Sequence, residues 1–189
     1  MDLTSAAGSL FAAFGLSGAA GLNAWIPLFA AGLLERLGAI DLAAPYDHLG
    51  SNLVLIVTGV CLLVDLVGDK IPGVDHVLHV AGTAIHPIAG ALVFAGQAGI
   101  GTDVPSIVSL LLGAGVAGGL HGVRASARPL VTGGTLGLGN PFVSAGEDVA
   151  SATLTVLAFV VPLLAALLVL ALAVLSLRVL RRRRGRRAA

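Results

Sequence analysis

Charge is what this sequence has least of. Only 11% of its 189 residues are Asp, Glu, Lys or Arg, less than half of the roughly 25% usual in a soluble domain, while 57% are hydrophobic. A water-soluble globule is thereby excluded. Aromatic residues make up 4%, with one Trp and one Tyr, which leaves no platform for stacking nucleic-acid bases. The single cysteine, Cys61, cannot close an internal disulfide, and its place in an apolar run points to packing. A Gly-rich nucleotide loop, a serine-nucleophile motif and a His-Glu-x-x-His string are all missing. An enzyme is therefore the less favoured class, and no cofactor or metal is expected.

What the sequence has instead is long stretches without charge. Five intervals qualify: residues 3–34, 49–64, 76–102, 104–123 and 149–177. A helix rising 1.5 Å per residue needs about 20 apolar residues to cross hydrocarbon. All but the second interval reach that length, and the second does so only if Asp65 and Asp69 are carried inside. In hydrocarbon every backbone polar group must be paired within the protein, so these intervals are read as helices. The expected fold is an all-α integral membrane protein of about five transmembrane helices, with broken or re-entrant segments. The first interval lacks the basic start of a signal peptide and is too long for one, so it counts as retained structure.

Seven of the eleven basic residues crowd after the last interval, at Arg178, Arg181–Arg184, Arg186 and Arg187. That divides the chain into a membrane domain, 1–177, and an Arg-rich tail, 178–189. Basic residues beside a span favour the cytoplasmic side, so the tail is expected to be cytoplasmic and to contact anionic lipid of the cell membrane. Five crossings would put Lys70, Arg124 and Arg128 on the outer side, against that rule. Either residues 77–97 re-enter without crossing, or these cations belong to a buried site, which is the preferred reading.

Shifting the chain by 98 residues lays Gly18-Ala-Ala-Gly-Leu-Asn23-Ala over Val116-Ala-Gly-Gly-Leu-His121-Gly. An inverted repeat, 1–98 and 99–177, is one explanation, and it is an arrangement common among secondary transporters. Compositional coincidence in a Gly/Ala-rich chain is the other. Both copies are expected to interrupt a helix. Gly21 to Pro27 should kink or unwind, and the second copy should open into a loop over Thr132–Ser144, which holds Gly133, Gly134, Gly137, Gly139 and Pro141. Gly115-x-x-x-Gly119 and Gly118-x-x-x-Gly122 suit close helix packing.

The remaining ionisable residues fall at helical spacings. Asp65 and Asp69 share a face with Thr58 and Cys61, and Lys70 follows. His76, His79, Thr83, His86 and Gly90 step by 3, 4, 3 and 4, which predicts one polar stripe. His121, Arg124 and Arg128 form a cationic stripe, with Glu147 and Asp148 the nearest acids beyond it. A charge inside a membrane costs enough that it must find a partner or a water-filled cavity. An Arg–acid brace and an anion or phosphate site are both open readings of the arginines.

The strings Gly21-Leu-Asn-Ala-Trp-Ile-Pro27, Asp69-Lys-Ile-Pro-Gly-Val-Asp-His76, His86-Pro-Ile-Ala-Gly90, and the series Arg124-x-x-x-Arg128, Asn140-Pro141, Glu147-Asp148 resemble the bacterial membrane-protein family called domain of unknown function 4126. The resemblance covers the chain up to the Arg tail. It implies a polytopic membrane fold and supplies no reaction. It also implies that Asn23, Asp69, Lys70, Asp75, His76, Arg128, Glu147 and Asp148 are recurring polar positions.

Two functions follow. The first is a small-solute or ion transporter or channel, its path lined by Asn23, Asp65, Asp69, Lys70, Asp75, His76, His79, His86, His121, Arg124, Arg128, Asn140, Glu147 and Asp148. The second is a membrane-embedded enzyme or binder that acts on a lipid phosphate held by Arg124 and Arg128. The first is preferred. About five spans make a small pore, which suggests a homodimer, and nothing suggests nucleic acid as a partner.

Overall fold

A computed structural model describes residues 3–71, 74–135 and 137–188. Among them the chain forms seven α-helices and one 3-10 turn, and no strand. The helices are α1 (Leu3–Leu22), α2 (Trp25–Arg36), α3 (Asn52–Gly68), α4 (Val74–Ala98), α5 (Ser106–Thr135), α6 (Asn140–Val160) and α7 (Pro162–Ala188), with the 3-10 turn at Tyr46–Gly50 between α2 and α3. Helices α4, α5 and α6 are long and apolar enough to cross a membrane, and Ala6–Leu22, Asn52–Gly68 and Pro162–Leu175 are shorter apolar helices. Leu53, Ile56, Val60, Leu63 and Val67 of α3 lie exposed, as do Leu163, Leu167 and Leu170 of α7. Apolar faces of that extent suit lipid and not water. The chain has the build of a helical membrane protein.

The first interval breaks where Asn23 and Ala24 separate α1 from α2. Asn23 Oδ1 accepts from the backbone N–H of Trp25 (3.0 Å) and of Ile26 (3.3 Å), which caps the start of α2 in the manner Asn favours. Pro27 then falls in the first turn of α2, where its missing donor costs nothing. The glycines before the break do not cause it. Gly15 packs on Ala158 and Ala165, Gly18 on Val169, and Gly21 on Ala117 and Leu120, so they let α1 lie at the centre of α5, α6 and α7.

The second expected interruption is absent. Helix α5 runs without a break through Gly118–Gly122 and on through Gly133 and Gly134 to Thr135, and α6 has already begun at Asn140. The loop expected over Thr132–Ser144 thus shrinks to 136–139, of which residue 136 lies outside the described residues. Thr135 Oγ1 accepts from Gly139 N at 3.0 Å, Gly137 takes a positive φ, and Pro141 sits at the helix start. That start is where proline promotes a helix. The 149–177 interval divides instead at Val161. Val161 precedes Pro162 and is extended, with φ −138° and ψ 71°, because a proline ring disfavours helical backbone in the residue before it.

Close packing holds only part of its expected place, at Gly118, which lies against Pro87 of α4. Gly115, Gly119 and Gly122 have open space where a side chain would stand, and Gly115 and Gly119 face an apolar groove also lined by Phe11, Phe14 and Leu167. The near approach of α4 and α5 is made by Gly90 and Gly113, whose backbones would each meet a Cβ added to the other. Gly113→Val is therefore expected to destabilise the protein by about 1–3 kcal/mol through overpacking. Gly115→Ala should be tolerated, and unfolding of the two variants in detergent checks the contrast. Equal effects would refute it.

The Arg178–Ala189 tail continues α7 as far as Ala188. The expected lipid contacts of Arg181–Arg184, Arg186 and Arg187 rest on side chains outside the described residues.

Candidate functional site

Breaking a helix frees backbone groups at both new ends, and three other helices meet those of α1. Ser151 Oγ of α6 donates to Ala19 O (2.9 Å) and to Asn23 O (3.3 Å). His86 Nδ1 of α4 lies 2.5 Å from Ala20 O, and Arg124 Nη1 of α5 donates to Leu22 O at 2.5 Å. Since a carbonyl only accepts, His86 carries its proton on Nδ1 and presents the Nε2 lone pair, 3.5 Å from Arg124 Nη1.

Asn23, 1% exposed, completes the junction. While its oxygen caps α2, its Nδ2 donates to Asp65 Oδ2 (2.8 Å) and Asp148 Oδ1 (2.9 Å). All the amide's donors and lone pairs are engaged. Asp65, Asp69 and Asp148 bring one oxygen each within 4.8 Å of one another. Lys70 Nζ bonds Asp69 Oδ1 (2.9 Å), Asp148 Oδ2 (3.2 Å) and Leu66 O (2.6 Å), and Ser144 Oγ donates to Asp69 Oδ2. Partial desolvation opposes the charge on Lys70, but the bonds to Asp69 and Asp148 outweigh it and hold the ammonium above the usual lysine range. The carboxylate trio could hold a divalent cation only if Lys70 withdrew.

A second group adjoins the first. Glu147 Oε2 lies 2.6 Å from Arg124 Nε and 3.6 Å from Arg128 Nη2, and Arg128 Nη1 meets Asp75 Oδ1. Arg128 Nη1 donates a hydrogen bond to Asp75, whereas the Glu147 contacts are ion contacts more than aligned hydrogen bonds, since Arg124 Nε, Arg128 Nη2 and Glu147 Oε2 have no hydrogen-bond partner among the described residues. Glu147 and Asp148 follow each other on α6, and the turn of about 100° per residue sends one to the arginines and the other to Lys70. His121 stacks on His86 with ring centroids 4.2 Å apart and lies 5.3 Å from His79. It is 3% exposed, and neither ring nitrogen has a hydrogen-bond partner among the described residues. Gly82 makes room for the imidazoles, since a Cβ there would press on His86 and His121.

Twelve of the fourteen residues expected to line a path thus gather around the α1–α2 break. His76 and Asn140 do not. His76 is exposed, because the buried face of α4 carries Asp75, His79, Gly82 and His86, and His76 and Thr83 fall at its outer edge. Of the expected stripe, His79, His86 and Gly90 face inward, and His76 and Thr83 do not. Asn140 pairs with Thr132 through Nδ2 and Oγ1 at 3.1 Å and closes the α5–α6 turn. Sequence reading missed Ser144 and Ser151, although Ser144, Asp148, Ser151 and Thr155 step by 4, 3 and 4 along one face of α6.

Two cavities meet here. A chamber of about 20 Å³ is lined by Asp65, Asp69, Asp75, His79, His86, Arg124 and Arg128, and one water-sized ligand needs about 10–15 Å³ by that measure. A larger cavity of about 150 Å³, walled by Trp25, Cys61, Val64 and Ile85, also reaches Asp65 and His86. With the histidines neutral, five carboxylates face three cations, a formal excess of two negative charges.

A family model described as Domain of unknown function (DUF4126) matches residues 10–182. No curated protein and no solved structure matches the chain.

Proposed function

Because the chain belongs to the family described as Domain of unknown function (DUF4126), whose description names no reaction, the site itself has to supply the function, and we propose that the protein is a transporter or channel for a small solute or ion, with a preference for cations. One observation carries this reading. Half of the chain's ten acids, and three of the four basic residues outside the tail, collect at a helix break beside adjoining cavities. Structural bracing does not require a cavity, and a brace that only neutralised charge would not leave two negative charges over. Water or a cation entering the chamber lowers the cost of those charges in hydrocarbon.

The reading extends to a bacterial inner-membrane protein with about five crossings over residues 1–177 and a cytoplasmic Arg tail, acting as a homodimer. The alternative, a binder or enzyme for lipid phosphate, has less support. Arg124 and Arg128 already face Glu147 and Asp75, so a phosphate would have to displace carboxylates in a region already negative.

Ion flux into liposomes containing the purified protein tests the proposal. Flux is expected in the wild type, to fall by at least about tenfold in Asp69→Asn and His86→Ala, and to persist in His76→Ala, whose side chain points away from the site. Wild-type flux that survives both site substitutions would remove this path.

A further inference from the structure

Resting on that reading, we propose that the ion handled at the site is the proton and that Asp65 is the residue that carries it. Among the described residues, Asp65 is the only one of the five carboxylates with no cation in ion-pair distance. Asp69 and Asp148 share Lys70, Glu147 lies between the two arginines, and Asp75 meets Arg128. The hydrogen-bond partner of Asp65 is the neutral amide of Asn23.

Asp65 also lines both cavities, the chamber and the larger space beside Trp25 and Cys61. It can thus be reached from the wider side and communicates with the interior one. The groups that face it are Asn23 from the break, Asp69 from the end of its own helix and Lys70 just beyond, Asp75, His79 and His86 from α4, Arg124 and Arg128 from α5, and Asp148 from α6.

The surroundings discriminate against a metal cation. Alkali and alkaline-earth ions replace their hydration shell with several oxygens, and in broken-helix sites freed backbone carbonyls supply many of them. Here the carbonyls of Ala19, Ala20, Leu22 and Asn23 are taken by Ser151, His86 and Arg124. Two of the three clustered carboxylates hold an ammonium, and two guanidinium and two imidazole groups share the chamber's lining with its carboxylates. An anion is opposed by the negative excess. A proton needs only one carboxylate oxygen and a hydrogen-bonded route to it.

The route is the chamber. Arg128 is 8% exposed and lines the chamber together with Asp65 and His86. A water held in that chamber can donate to Asp65 or to the Nε2 lone pair of His86. The chemistry is one O–H bond formed on the Asp65 carboxylate as a hydronium on one side gives up its own and becomes water, and that bond then broken to a water on the other side, which becomes hydronium, with no redox partner.

The test uses the full chain in liposomes with an internal pH dye, and a membrane potential set by potassium and valinomycin. Proton flux is expected in wild type, unchanged when sodium is replaced by a bulky organic cation, lost by at least about tenfold in Asp65→Asn, and partly retained in Asp65→Glu. Normal proton flux in Asp65→Asn, with loss in Asp69→Asn, overturns the assignment to Asp65 and leaves transport standing. Flux of sodium without protons overturns the choice of ion and also leaves transport standing. No flux of any ion from wild type removes the transport reading, and a second measurement then judges Asp65 alone. Infrared titration of detergent-solubilised protein should show a protonated-carboxyl band that Asp65→Asn deletes and Asp65→Glu shifts. A band unaltered in Asp65→Glu overturns the proposal even if Asp65→Asn fails to fold.

Discussion

Asn23→Ala is expected to lower the unfolding free energy by about 4–7 kcal/mol, the sum of a lost helix cap near 1 kcal/mol and two lost hydrogen bonds to charged groups at about 1.5–3 kcal/mol each. Nothing nearby can replace what the amide does. Its oxygen holds the first N–H groups of α2, and its nitrogen holds Asp65 and Asp148. Alanine would leave two carboxylates short of a donor in a site already rich in negative charge, and an unmade bond there costs the desolvation of the orphaned group. Asn23→Ser separates the two jobs. Serine can still cap α2 but cannot reach both carboxylates, so it should recover only the smaller share of the loss. Denaturant unfolding of the three proteins in detergent measures this. A loss in Asn23→Ala under about 1 kcal/mol, the size of a cap alone, would mean that the amide does not hold the carboxylates together.

The helix break itself was legible, because Asn before an apolar run and Pro four residues later are local signals. Ser51 before α3 is another, accepting from Val54 N at 3.4 Å. The second break could not be distinguished from packing by composition. The 98-residue correspondence pairs Asn23 with His121, yet one residue caps a helix and the other lies inside α5. Gly21, expected to loosen the helix, serves packing against Ala117 and Leu120, while Gly133 and Gly134 simply continue α5. Gly90 and Gly113 depend on which helices become neighbours, a long-range fact that no spacing within one helix carries.

The candidate site was largely legible for a physical reason. In a chain with so few charges, each ionisable residue in an apolar interval needs an interior partner, so a list of them is nearly a list of the site. The phase of a stripe is less secure. His76 and His79 both fit a spacing of three, and only the packing of α4 against α5, with Gly82 lying on the imidazoles of His86 and His121, decides that Asp75 and not His76 faces inward. Serines were overlooked because they carry no charge, yet Ser151 bonds two carbonyls of the break.

Glu147→Ala should be nearly as damaging, at about 3–5 kcal/mol, the cost of removing one partner from a buried ion pair. Glu147 stands between two guanidiniums, with side-chain exposures of 12% and 9% for Arg124 and Arg128 and 16% for its own. Without it, Arg124 keeps only the Leu22 carbonyl and the edge of His86, and Arg128 keeps Asp75. The loss measures an uncompensated charge more than the worth of the pair, so removing both partners should be gentler. Glu147→Ala combined with Arg124→Met is expected to cost less than the two single changes added together, by about 0.5–3 kcal/mol of coupling. A double-mutant cycle of unfolding free energies in detergent reads that difference. Strict additivity would show that Glu147 and Arg124 do not act on each other, and the brace that holds Arg124 against the broken end of α1 would have to be sought elsewhere.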